Sequence, residues 1–161
     1  MRGTRSIMLN IKNYRLGFEF CGFLLSLAML LPSLIWSFVP APHDILRSAE
    51  TVASLGIATL VLRLLTMASS MFVVNIDSDE LRFSAATFVI LAFGLIYYAG
   101  WFLYYAGLAC VVALVFISVS PIAMFITLSF DRKNAFSLLS SIGFAGVHLA
   151  CIIYGITSIV G

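Results

Sequence analysis

Residues 83–130 read FSAATFVILAFGLIYYAGWFLYYAGLACVVALVFISVSPIAMFITLSF, forty-eight residues without one Asp, Glu, Lys or Arg. A single helix of this length would extend about 72 Å, more than twice the roughly 30 Å hydrocarbon core of a bilayer. Soluble domains carry about 25% charged residues and have no interior that hides so long an uncharged segment. The run therefore predicts two transmembrane helices that fold back on each other.

The whole chain has the composition of an integral membrane protein, with 62% hydrophobic and 10% charged residues. Its 161 residues leave no room for a separate soluble catalytic domain, so residues 1–161 are interpreted as one transmembrane domain. The predicted fold class is all-α, an integral membrane bundle of five transmembrane helices. The five predicted spans are residues 16–38, 49–74, 83–105, 108–130 and 135–160.

Proline and glycine separate these spans. Pro40 and Pro42 stop the first helix, and Gly107 provides the turn inside the uncharged run because glycine adopts the left-handed conformation that ends helices. Pro121 predicts a kink in the fourth span. Aromatic residues cluster before the turn in YYAGWFLYYAG, residues 97–107, a pattern typical of an interfacial aromatic belt.

The basic residues predict the orientation. With the N-terminus inside and five spans, Arg47 is the one basic residue in an external segment, and seven others fall in cytoplasmic segments: Arg2, Arg5, Lys12, Arg15, Arg82, Arg132 and Lys133. We predict a multi-pass protein of a bacterial plasma (inner) membrane, with a cytoplasmic N-terminus and an external C-terminus. A net charge of +2 with dispersed basic residues argues against a nucleic-acid partner.

The sequence contains no recognisable catalytic motif. HExxH, GxSxG and CxxC are absent, and we predict a non-enzymatic protein with no catalytic residues, metal ligands or cofactor. The acidic loop with Asp77, Asp79 and Glu80 invites a metal or phosphate interpretation, but Ser and Asp before an apolar run are ordinary helix-start residues. The three cysteines lie in apolar stretches and indicate buried packing rather than chemistry.

Polar residues recur at helical spacing in the first, second and fifth spans, which predicts that the three polar faces meet. Arg63 is the most informative of them, because a charged Arg at the bilayer centre costs about 2.5–3.5 kcal/mol even on lenient insertion scales. Glu19 is the predicted counter-ion, and His148 lies at a depth similar to that of Arg63. The predicted polar cluster consists of Glu19, Ser26, Thr59, Arg63, Thr66, Ser141 and His148.

Two interpretations of this cluster remain open. In the first, a small solute binds at, or passes through, a polar intramembrane site around Arg63. An anion is one class of solute that this interpretation includes. In the second, the cluster is purely structural and the protein is an accessory, immunity or assembly subunit whose small-residue faces bind a membrane-protein partner or a second copy. The lipid bilayer is the partner common to both.

The segment FEFCGFLLSLAMLLPSLIWSFVPAPHDILR, residues 18–47, resembles a block in small multi-pass membrane proteins of Firmicutes-type bacteria that have no assigned function. The PSLIW and PAPHDILR pieces carry the likeness, and FDRKN at residues 130–134 adds to it. This resemblance implies a bacterial multi-pass protein and brings no ligand.

Overall fold

A computed structural model describes residues 13–42, 44–48, 53–78, 84–108 and 111–160. The secondary-structure elements, in chain order, are β1 (Tyr14–Leu16), α1 (Phe20–Phe38), α2 (Ile45–Ser48), α3 (Ala53–Phe72), β2 (Val73–Asn75), α4 (Ala85–Tyr105), α5 (Val111–Asp131) and α6 (Ala135–Val160). Several residues used in the sequence predictions lie outside the described residues: Arg2, Arg5, Lys12, Asp79, Glu80, Arg82 and one of the three cysteines, Cys110.

Five of these helices, α1, α3, α4, α5 and α6, are long and apolar enough to cross a membrane. The predicted all-α bundle of five spans is confirmed, and the observed helix ends differ from the predicted span ends by at most four residues. The chain is a small multi-pass membrane protein. α5 forms the core of the bundle. In its apolar 18-residue segment 56% of the residues are buried, whereas the share is 28% or less in the other four helices.

A short antiparallel ribbon was not predicted. β1 pairs with β2 in the register Tyr14 with Asn75 and Leu16 with Val73. Beyond the ribbon, the amide of Glu19 donates to the Met71 carbonyl at 2.7 Å. The ribbon therefore fixes the start of α1 beside the end of α3.

One end of the bundle, here called the proximal face, contains residues 13–19, 73–78 and 131–134. The Tyr14 hydroxyl donates to the Lys133 carbonyl and accepts from the Ala135 amide, both at 3.1 Å. Asn134 is buried, and its Nδ2 donates to the Val73 carbonyl at 2.7 Å while its Oδ1 accepts from the Ser137 amide at 3.0 Å. These bonds satisfy main-chain groups at the ends of α3 and α6 and hold three chain segments at the same end of the bundle.

The opposite end, the distal face, contains residues 39–48 and 106–108. There the Asp44 carboxylate accepts hydrogen bonds from Trp36 Nε1 at 3.0 Å and from the Tyr104 hydroxyl at 2.8 Å, and it pairs with Arg47 Nε at 3.0 Å. Burial alone would raise the pKa of Asp44, but the bonds from Tyr104 and Trp36 and the charge of Arg47 outweigh it, so this pKa lies below its ordinary value. A single carboxylate thus ties α1 to α4.

The aromatic cluster at the end of α4 differs from an interfacial belt. Tyr97, Trp101 and Tyr104 are buried, and their rings follow one another edge to face along the helix, with centroids 6.4 and 5.9 Å apart. Trp36 from α1 extends this row, its ring centroid 6.4 Å from that of Trp101. These side chains pack helix against helix, and among the aromatic residues of this stretch only Tyr98 and Phe102 are exposed.

Candidate functional site

The candidate site is built on a gap in the hydrogen bonds of α1. Pro32 has no N–H, so the carbonyl of Ala28, four residues earlier, loses its helical partner. The Tyr98 hydroxyl donates to this carbonyl at 2.8 Å. The neighbouring Met29 carbonyl accepts from the Tyr97 hydroxyl at 2.9 Å and from Arg63 Nη2 at 3.3 Å. Side chains from α3 and α4 thus converge on the kinked turn of α1.

Arg63 reaches this turn from the middle of α3, ten residues from its first residue and nine from its last. Its Nη2 also donates to Ser33 Oγ at 3.0 Å. The Nε and Nη1 groups make no hydrogen bond to the described residues, and neither nitrogen is fully enclosed by protein. The described residues therefore leave part of the guanidinium uncovered.

The predicted pair of Arg63 with Glu19 is not formed. Glu19 caps the start of α1 at the proximal face, and ten residues, or about 15 Å of helix rise, separate it from Met29. Its carboxylate lies 3.7 Å from Arg132 Nε, in the loop between α5 and α6. Within the described part of the chain, no carboxylate is within ion-pair distance of Arg63. The pair does not form because Glu19 lies at the proximal end of α1 while Arg63 projects from the middle of α3.

Two further predicted residues adjoin Arg63. Thr59 lies one turn earlier on the same face of α3, and its buried Oγ1 has no hydrogen-bond partner among the described residues. His148 belongs to α6, the helix that packs along α3. Its ring stacks on Phe144 at a centroid distance of 4.9 Å, and its buried Nδ1 also has no partner in the described ranges. Such orphaned polar groups are costly inside a membrane.

The other predicted members make no hydrogen bond to this group. Thr66 Oγ1 donates to the Leu62 carbonyl at 2.8 Å, and Ser141 Oγ donates to the Ser137 carbonyl at 2.6 Å, so both hydroxyls are satisfied within their own helices. Ser26 Oγ is buried and without a hydrogen-bond partner among the described residues. Hydrogen bonds therefore do not join the seven predicted residues into one network.

The remaining arrangement, Arg63 with Thr59 and His148, presents donors and no carboxylate. A guanidinium, a hydroxyl and an imidazole together suit an anion or a carbonyl oxygen. They do not suit a divalent cation, and no three His, Cys, Asp or Glu side chains converge as metal ligands would in the described ranges.

Sequence reasoning missed the roles of Tyr97, Tyr98 and the carbonyls of Ala28 and Met29. The available signal was Pro32, because a proline inside a helix leaves a carbonyl that a neighbouring side chain must satisfy in lipid. A pair of tyrosines at the depth of that proline is the matching donor.

No protein-family model, no curated protein and no solved structure matches the chain. The resemblance to small Firmicutes-type membrane proteins stays a prediction.

Proposed function

We propose that the protein binds a small anionic solute inside the membrane, at a site formed by Arg63, Thr59 and His148. The observation that carries this proposal is the guanidinium in the middle of α3 that has no carboxylate partner among the described residues. An intramembrane arginine without a counter-charge costs several kcal/mol, and an anion bound from outside the chain removes that cost.

The hydrogen-bond partners of Arg63 support a role in solute binding rather than a purely structural role. Met29 and Ser33 supply neutral acceptors, so they orient the guanidinium without cancelling its charge. Thr59 Oγ1, one turn from Arg63 on α3, and His148 Nδ1, on the adjacent helix α6, have no hydrogen-bond partner among the described residues. A bound anion would accept from the arginine, and the enclosed threonine hydroxyl would have to rotate to donate to it as well.

The site suits binding better than free passage. Below Arg63, hydroxyls from three helices extend toward the proximal face, including the pairs Ser69 with Ser140 at 3.0 Å and Ser129 with Ser137 at 2.8 Å. Ser129 and Ser140 also donate to carbonyls of their own helices, and this column packs tightly. Packed hydroxyls favour a bound state over an open pore.

Thermal unfolding in phosphatidylcholine nanodiscs tests the proposal. Sodium gluconate is replaced by the sodium salt of chloride, acetate or phosphate at constant ionic strength. An anion that binds the folded state and is present at 100 times its Kd should stabilise that state by about 2.7 kcal/mol. We expect at least one of the three anions to raise the Tm of the wild type by several degrees. The same anion should leave the Tm of Arg63→Met unchanged.

Arg15→Met is the matched control, because it removes the same charge from an exposed residue of β1. It should retain the wild-type rise in Tm. An equal rise in Arg63→Met and Arg15→Met would mean a general salt effect. No rise in the wild type with any of the three anions would also contradict the proposal.

A second candidate function is that of an accessory or assembly subunit. Gly56 of α3 and Gly146 of α6 are exposed, and a Cβ at either would meet no heavy atom of the described residues within 4 Å. Small residues on exposed helix surfaces permit close approach of another transmembrane helix. If this function is right, Gly56→Leu and Gly146→Leu should abolish co-purification of a partner or a second copy while leaving Tm unchanged.

A further inference from the structure

A cleft of about 700 Å³ lies on the proximal half of the bundle between α1, α4 and α5, and Arg63 is not part of its lining. Leu25 and Met29 of α1 form one wall, Ile90 and Gly94 of α4 form the other, and Met124 and Leu128 of α5 form the floor. Apolar side chains dominate this lining. The cleft is therefore suited to a hydrocarbon chain rather than to the polar solute proposed for Arg63.

The cleft opens sideways between two helices. Three of the leucines that line the cleft are also exposed on the surface that faces lipid: Leu24 of α1, and Leu91 and Leu95 of α4. Above the opening, the hydroxyls of Tyr97 and Tyr98 join α4 to α1. A molecule can thus enter from the bilayer, and the tyrosine bonds close the inner end.

The depth of the cleft matches one leaflet. Its lining on α4 extends from Thr87 to Tyr98, which is about 16 Å of helix rise. An acyl chain in one leaflet occupies half of the roughly 30 Å hydrocarbon core, or about 15 Å, which is close to the length of the cleft.

Charges at the mouth indicate which head group fits. Asp131 and Arg132 line the proximal end of the cleft, and Arg132 Nε lies 3.6 Å from Asp131 and 3.7 Å from Glu19. Arg132 counted with the two carboxylates that it pairs with in the described part of the chain gives one net negative charge, and the neighbouring cation Lys133 directs its Nζ to the Asp77 carbonyl at 2.9 Å. This net negative charge attracts an ammonium group and repels an anionic head group.

We propose that the cleft is a lipid-binding site, which takes one acyl chain of a zwitterionic phospholipid with a primary ammonium group, such as phosphatidylethanolamine. The ammonium lies against Glu19 and Asp131, and the chain extends along Gly94 to the tyrosine pair. This site does not depend on the anion site at Arg63.

Native mass spectrometry of the purified protein tests the proposal. The protein is equilibrated with equal amounts of phosphatidylethanolamine and phosphatidylglycerol. We expect the wild type to retain one phosphatidylethanolamine and Gly94→Leu to retain at least tenfold less, because the leucine side chain projects into the path of the acyl chain. A Cβ at Gly94 lies 3.7 Å from Met124 Sδ, an ordinary contact distance. Gly146→Leu is the matched control and should retain the lipid.

Charge selectivity is tested with Asp131→Asn, which should reduce the preference for phosphatidylethanolamine over phosphatidylglycerol at least threefold. Equal retention of the two lipids by the wild type would overturn the proposal, as would unchanged retention in a folded Gly94→Leu.

A second measurement needs no bulky substitution. Cys21 lines the cleft and is the remaining thiol after Cys110→Ala and Cys151→Ala. Its reaction with N-ethylmaleimide should be several-fold slower in nanodiscs that contain phosphatidylethanolamine than in nanodiscs of phosphatidylglycerol alone. The same rate in both lipids would overturn the proposal even if Gly94→Leu fails to fold.

Discussion

At the scale of single residues, the bundle is joined where Pro32 removes a main-chain hydrogen bond from α1. The carbonyls of Ala28 and Met29 then accept from Tyr98, Tyr97 and Arg63, which belong to two other helices. The central depth of Arg63 could be predicted from its position in an apolar run. Its partners could not, because a main-chain carbonyl leaves no mark in the sequence except the proline that frees it.

This repair of α1 predicts a coupling between Tyr98 and Pro32. Tyr98→Phe should lower the free energy of unfolding by about 1–2 kcal/mol, because the Ala28 carbonyl is then left without a partner next to lipid. In a Pro32→Ala background the new N–H can bond to that carbonyl, so the same substitution should cost less. Denaturation of the four proteins in mixed micelles measures this cycle, and equal costs in both backgrounds would rule out the coupling.

At the scale of helices, the count of five followed from the sequence, because charges, prolines and Gly107 interrupt the apolar runs. The central position of α5 did not follow. A helix that is apolar on all sides is suited equally to a protein core and to lipid, so hydrophobicity cannot rank the spans by burial. The polar faces predicted that the first, second and fifth spans meet. Two of these helices, α3 and α6, do pack together, but the helix at the centre of the bundle is α5.

The crossing of α1 and α3 gives a prediction of its own. A Cβ at Gly22 would lie 2.0 Å from the Ser70 carbonyl oxygen, a distance that forces the two backbones apart. Gly22→Ala should therefore destabilise the protein by about 1–3 kcal/mol despite the better helix propensity of alanine. Gly56→Ala is the control, since its Cβ would meet no heavy atom of the described residues within 4 Å. If the two variants unfold at the same temperature, the close crossing is wrong.

At the scale of the whole molecule, α1 separates two environments. Its Met29 turn contacts Arg63 from the α3 side, and its Leu25 and Met29 line the apolar cleft on the α4 side. A shift of this turn would change the anion site and the lipid cleft together, because the same carbonyl accepts from Arg63 and from Tyr97. The two proposed ligands are therefore expected to influence each other's affinity by equal factors.

The arrangement of the ends predicts the orientation in the membrane. Arg15, Arg132 and Lys133 lie at the proximal face, and Arg47 lies at the distal face, so the positive-inside rule predicts that the proximal face lies in the cytoplasm. In a protein with its native cysteines replaced by alanine, Lys133→Cys should react with an impermeant maleimide in inverted vesicles, and Leu108→Cys should react in intact cells. Reaction of both from one side would contradict the fold itself. Reaction from opposite sides in the reverse sense would preserve the fold and invert the orientation, and the phosphatidylethanolamine site would then face the outer leaflet.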